Sequence, residues 1–177
     1  LLGGRAFSLS ARARSGCTWP GRIRSAIAGG STNNTKYSAG VCWNCSLLNV
    51  DVEYANSQAI DTAAVTRGIY WSVANGARVI NASFENKLPC SSPAQPDNDI
   101  PALKAAVAYA ISQNVTIVAA AGNAGKDAKD TSPASCPGVI AVAATDKNKA
   151  RASYSNHGSV TLAAPGGAAS LLNGGIG

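Results

Sequence analysis

No stretch of the 177-residue sequence stays apolar for the roughly eighteen residues that a membrane-crossing helix requires. Methionine is absent altogether, which points to a processed chain or a fragment. There is one histidine, His157, and one C-x-x-C, formed by Cys42 and Cys45. Without a second such pair or more imidazoles, a tetrahedral zinc site cannot be completed from this sequence. No acidic residue precedes Asp51, so the first fifty residues carry Arg5, Arg12, Arg14, Arg22, Arg24 and Lys36 uncompensated. Beyond that point basic and acidic residues balance, and the net charge of +6 is therefore local. Residues 1–24, a basic arm that carries five of these six basic residues, have no aromatic residues but Phe7 and Trp19 and no recognisable module, so no nucleic-acid partner is expected.

What is present suits a globular α/β protein. Hydrophobic residues make up 46% and charged residues 14%, a balance that argues against disorder. The length allows one domain with a substantial core and not two of ordinary size. Residues 1–24, rich in Arg, Ser, Ala and Gly, show no helical or strand period. That composition fits an organellar transit peptide or a stretch read out of frame, and it predicts no folded element. The folded domain is accordingly expected over 25–177.

Within it the patterning predicts a short helical piece at 25–30 and strands at 47–52, 79–84, 115–121, 139–145 and 160–164. Helices are predicted over 62–75 and 99–113. The first turns Val65, Ile69 and Val73 inward and ends at Gly76. The second turns Leu103, Val107 and Ala110 inward, with Asn98 or Asp99 as N-cap. Strands alternating with helices, each strand nearly all apolar, mean a parallel sheet covered on both faces. The fold class is thus a three-layer, doubly wound, mostly parallel α/β architecture. Its strand C-termini line one edge, where Asn81 to Glu85 and Gly122 to Gly125 fall. A nucleotide-binding reading would need a phosphate loop, and G-N-A-G at 122–125 is too short for one.

Five cysteines leave one over. Cys90 and Cys136 sit in Pro-, Ser- and Gly-rich loops, where a secreted protein would place a disulfide. Cys42 and Cys45 are either a small bridge or two free thiols, and Cys17 lies in the basic arm.

Six blocks carry a family resemblance. They are G-V-x-x-N-x-x-L-L from Gly40, V-I-N-A-S-F from Val79, V-A-A-A-G-N from Val118, S-P-A-S-C-P-G-V-I-A-V-A-A-T-D from Ser132, A-S-Y-S-N-H-G-S from Ala152, and A-A-P-G from Ala163. In this order and spacing the chain resembles the subtilisin-like serine proteases (subtilases, peptidase S8), nearest in look to the proteinase K-like branch. The resemblance implies acyl transfer to a serine, with an imidazole as base and a carboxylate fixing its tautomer. It implies that Asn123 donates to the oxyanion, where a reading from the residues alone makes Asn123 a left-handed turn residue. It places an extended peptide between Ser83, Phe84 and Glu85 on one side and Ala120, Ala121 and Gly122 on the other. For Ser83 and Phe84 the plainer reading is a strand end with a core aromatic. The family has S-L-G-G where this chain has S-F-E-N, so Glu85 either favours basic substrates or compromises the pocket.

The proton chemistry is missing. Aligned on Ser25 to Gly29, Pro20 stands where the family's imidazole belongs, no acid precedes Asp51, and no G-T-S-M-A occurs. His157 lies in the S-N-x-G turn and is expected to be structural or exposed. The expectation is a serine endopeptidase family member that lacks the triad and is inactive as given. The alternative is a pseudo-protease that binds peptides. The resemblance to the proteinase K-like branch implies a calcium held by carbonyls matching Pro137 and Val139 and by an Asp that here is Leu162. The intact family can hold calcium, but with that charged ligand lost no metal site is expected in this chain. Expected partners are a polypeptide substrate or inhibitor, with no membrane, on a monomer. The expected location is extracellular, or an organelle lumen if residues 1–24 are a transit peptide. N-x-S/T sequons occur at Asn33, Asn44, Asn81 and Asn114, and Asn81 is expected to be too buried to modify.

Overall fold

The computed structural model describes residues 5–10, 27–30, 33, 35, 39–52, 60–94 and 99–167. Strands β1 (Arg5–Ser10), β2 (Ser46–Asp51), β3 (Ala77–Ala82), β4 (Thr116–Ala120), β5 (Ile140–Thr145) and β6 (Leu162–Pro165) form one sheet in the order β2-β1-β3-β4-β5-β6. Every pairing is parallel. Helices α1 (Thr62–Ala74) and α2 (Ile100–Ser112) supply crossovers, as parallel neighbours require.

Local chemistry sets the helix ends. Asp61 caps α1 by accepting from the Ala63 N–H at 2.9 Å, and Gly76 at φ +80° follows its last turn. Pro101 occupies the first turn of α2, where its missing N–H costs no helical bond, and Asp99 makes no side-chain cap. Val65, Gly68, Ile69 and Ser72 of α1 and Ile100, Leu103, Ala106, Val107 and Ala110 of α2 are buried. They pack with Ile80, Ala82, Ile117, Ala119 and Ala141 in one core. The Cys90–Cys136 disulfide lies in that core, and Cys42 is bonded to Cys45.

Three expectations change. Residues 5–10, placed in a leader without structure, form β1, paired on one side with β2 and on the other with β3. Phe7 and Leu9 alternate with Ser8 and Ser10, a period-2 signal too short to stand out from the surrounding Arg and Ser. Pairing on both sides outweighs that weak local preference. Residues 11–24, including Cys17 and the Pro20 to Arg24 stretch, lie outside the described residues, as does Asn98.

Second, the mostly parallel α/β sheet is as expected, and among the described residues its two helices α1 and α2 pack side by side over one face. On the other face Val79 and Leu162 are exposed and Val118, Ala120 and Val142 half-buried. The strands therefore alternate in burial although nearly all their residues are apolar. Third, β3 begins and ends two residues earlier than the 79–84 reading. Ser83 leaves the ladder to bond Asn81, while Phe84 turns into the core.

Candidate active site

β3 and β4 are adjacent and parallel, with Ala82 opposite Ala119, so their C-terminal extensions leave the sheet at the same edge. The segment after β3 is held at both ends. Asn81 Nδ2 donates to Ser83 Oγ at 2.8 Å. Asn86 and Ser132 exchange backbone N–H···O bonds of 2.8 and 3.1 Å, and Asn86 Nδ2 donates to Thr62 Oγ1 at 2.9 Å. Ser83 to Glu85 thus run as a short segment along the edge.

The segment after β4 is held by a residue that the sequence reading missed. Asn156 is fully buried. Its Oδ1 accepts from the N–H groups of Ala124 and Lys126, both at 3.0 Å, and its Nδ2 donates to the Ala121 carbonyl at 2.9 Å. Its own N–H donates to the Gly122 carbonyl at 2.9 Å. Thr131 Oγ1 also donates to the Ala121 carbonyl, at 3.1 Å. The only cue to Asn156 was its place in A-S-Y-S-N-H-G-S. An Asn before a Gly turn is so common in loops that nothing marked this one as a buried staple.

Gly122 takes φ +112°, and a Cβ there would meet Glu85 Oε2 and the Asn156 amide. The left-handed residue is therefore Gly122, and Asn123 is not among the residues with positive φ. This corrects the reading of Asn123 as a left-handed turn former. The Asn123 backbone N–H donates to Glu85 Oε2 at 3.1 Å, tying the two segments together. Its side-chain amide is exposed and bonds to none of the described residues.

Beyond Asn123 the chain is stitched to the 155–159 turn. The His157 N–H donates to the Lys126 carbonyl, and the His157 carbonyl accepts from Ala128, both at 2.9 Å. The His157 side chain is exposed, so its described role is through the backbone. Asp127 Oδ1 accepts from the N–H groups of Lys129 and Ser159. Those two backbone donors hold the Asp127 carboxyl below its ordinary value of 3.8. A groove of about 400 Å³ lies elsewhere, between β2 and α1, lined by Asn49, Val50, Ala64, Arg67, Gly68 and Trp71. It shares no residue with this edge.

The seven residues that the sequence pointed to lie on two neighbouring segments, Ser83 to Glu85 and Ala120 to Asn123, with the Phe84 side chain turned into the core. A scan against known families matches residues 11–175 to the model described as the subtilase family. The chain belongs to the subtilase family. It is similar to thermitase of Thermoactinomyces vulgaris, 39% identical over 141 residues, which is 79% of this chain and 46% of thermitase. An extracellular protease of Xanthomonas campestris is 33% identical over 169 residues, 89% of this chain and 27% of its own length. The solved structure of a protease from Pseudoalteromonas arctica superposes with a TM-score of 0.71 at 32% identity, covering 80% of this chain and 42% of that one. The chain spans about half or less of the length of the relatives it matches.

Proposed function

We propose that this chain carries the substrate edge and the oxyanion donor of a subtilisin-like serine endopeptidase. The observation that carries the reading is the Asn123 amide, exposed and unengaged beside two edge segments fixed by Asn156, Glu85 and Asn86. A donor held by a rigid turn, free of internal partners, costs little reorganisation when negative charge develops on a carbonyl oxygen. An extended peptide would lie along Ser83 to Glu85 and Ala120 to Gly122, bound chiefly through its backbone. The chemistry also requires a nucleophile, a base and a carboxylate. The single imidazole, exposed at His157, has no described carboxylate or hydroxyl partner. In this reading the described residues supply the peptide edge and the oxyanion donor, and not the proton chemistry.

Leu162 offers an exposed hydrocarbon where the family's calcium would need a carboxylate, so this reading assigns no calcium. The extracellular protease among the relatives supports secretion, and a bonded Cys90–Cys136 pair suits an oxidising compartment.

The test is turnover of a fluorogenic peptide by the chain alone and by the chain fused to segments bearing the family's Asp, His and Ser motifs. Turnover by the fusion and none by the chain alone is expected. Hydrolysis by the chain alone, abolished by a serine-directed inhibitor, would overturn the assignment of roles.

A further inference from the structure

The family resemblance gives glycine where this chain has Glu85, and the structure shows where that carboxylate goes. Glu85 does not swing into solvent. Its Oε2 accepts from the Asn123 N–H at 3.1 Å and sits against Gly122, at the notch where the extensions of β3 and β4 meet. Gly122 has to lack a side chain for the carboxylate and the Asn156 amide to occupy that place.

The carboxylate is half-buried, and among the described residues it has no cation. The two ion pairs there join Arg67 to Asp61 and Lys129 to Asp127. One N–H fills one of about four lone-pair positions on a carboxylate. The rest of its acceptor capacity stays open at the edge where a peptide is to lie, and a partly desolvated anion gains most from a charged donor.

We propose that Glu85 makes this edge select peptides that bring a lysine or arginine side chain to the Gly122–Asn123 turn. The inference rests on the peptide-binding reading above and adds to it the class of substrate. A peptide strand along Ser83 to Glu85 presents alternate side chains to the notch. An ammonium or guanidinium group there donates to the open carboxylate oxygens, whereas an acidic side chain meets a like charge. From Asp51 onward basic and acidic residues balance, so a preference for cationic peptides does not come from a net negative charge on this part of the chain.

The experiment measures fluorescence anisotropy of labelled hexapeptides of one background, in which a single lysine, norleucine or glutamate is walked through the positions. At the position that meets the notch, lysine binds about fivefold more tightly than norleucine, as a partly exposed ion pair allows, and glutamate binds weakest. The preference shrinks in 1 M NaCl. In Glu85→Gln, whose amide oxygen still accepts from Asn123, it disappears while the thermal melt is unchanged. Equal binding of lysine and norleucine at every position, or a preference that survives in Glu85→Gln, overturns the proposal and leaves the peptide edge standing. Failure of every peptide to bind removes the edge reading itself, and this inference with it.

Discussion

Replacing Asn156 with alanine removes the side chain that organises the segment carrying Asn123. Three side-chain hydrogen bonds go, two accepted from the Ala124 and Lys126 N–H groups and one donated to the Ala121 carbonyl. The carbonyl keeps the Thr131 hydroxyl, and water reaches the exposed Ala124 and Lys126, so none of the three former partners is left dry. Each lost bond then costs about 1 kcal/mol, nearer the net worth of a hydrogen bond than the penalty for a buried orphan. Adding a small cavity where a fully buried amide stood gives a total of roughly 3–4 kcal/mol. That is a large share of the 5–15 kcal/mol that a domain of this kind has. Urea unfolding followed by circular dichroism gives the difference. Hydrogen exchange localises it, with the Ala124 and Lys126 amides losing protection before those of β4. A loss under 1 kcal/mol, or unchanged protection at both amides, would refute the assignment of Asn156 as the staple of this turn.

Gly122→Ala is expected to destabilise the chain by about 1–3 kcal/mol, because a side chain at φ +112° is strained and meets Glu85 and Asn156; equilibrium urea unfolding measures it. The Cys90→Ser/Cys136→Ser double variant should lose about 4 kcal/mol by the chain-entropy relation for a separation of 46 residues, read as a lowered Tm. Asp127, whose carboxyl is held low by the Lys129 and Ser159 N–H groups, stabilises the folded loop above its ordinary value of 3.8. That contribution fades as pH falls through the lowered folded-state value. The protection of the Lys129 and Ser159 amides relative to their intrinsic exchange should therefore fall below about pH 4, and Asp127→Asn should remove that step.

The helices and the five strands from β2 to β6 were legible because their apolar residues run at regular spacing, and because Gly76 marks a helix end. The edge position of Ser83 to Glu85 and Gly122 to Asn123 followed from the parallel topology alone. β1 was not legible: six residues amid arginine and serine carry too little pattern, and its pairing partners are far along the chain. Which face the described helices cover was hidden because Val79, Val118 and Val142 are as apolar as the buried Ile80, Ile117 and Ala141. Asn156 was invisible for the opposite reason, since its importance lies in partners 30 to 35 positions away, with no local signature.

The central claim is that Asn123 donates to a developing oxyanion. The most direct measurement is the kcat of Asn123→Ala against the parent, in the chain fused to the segments bearing the family's Asp, His and Ser motifs. A donor used only as charge develops should cost about a hundredfold or more in kcat and leave KM nearly unchanged. An unchanged kcat, or a loss confined to KM, would show that Asn123 is a turn residue and not part of the chemistry.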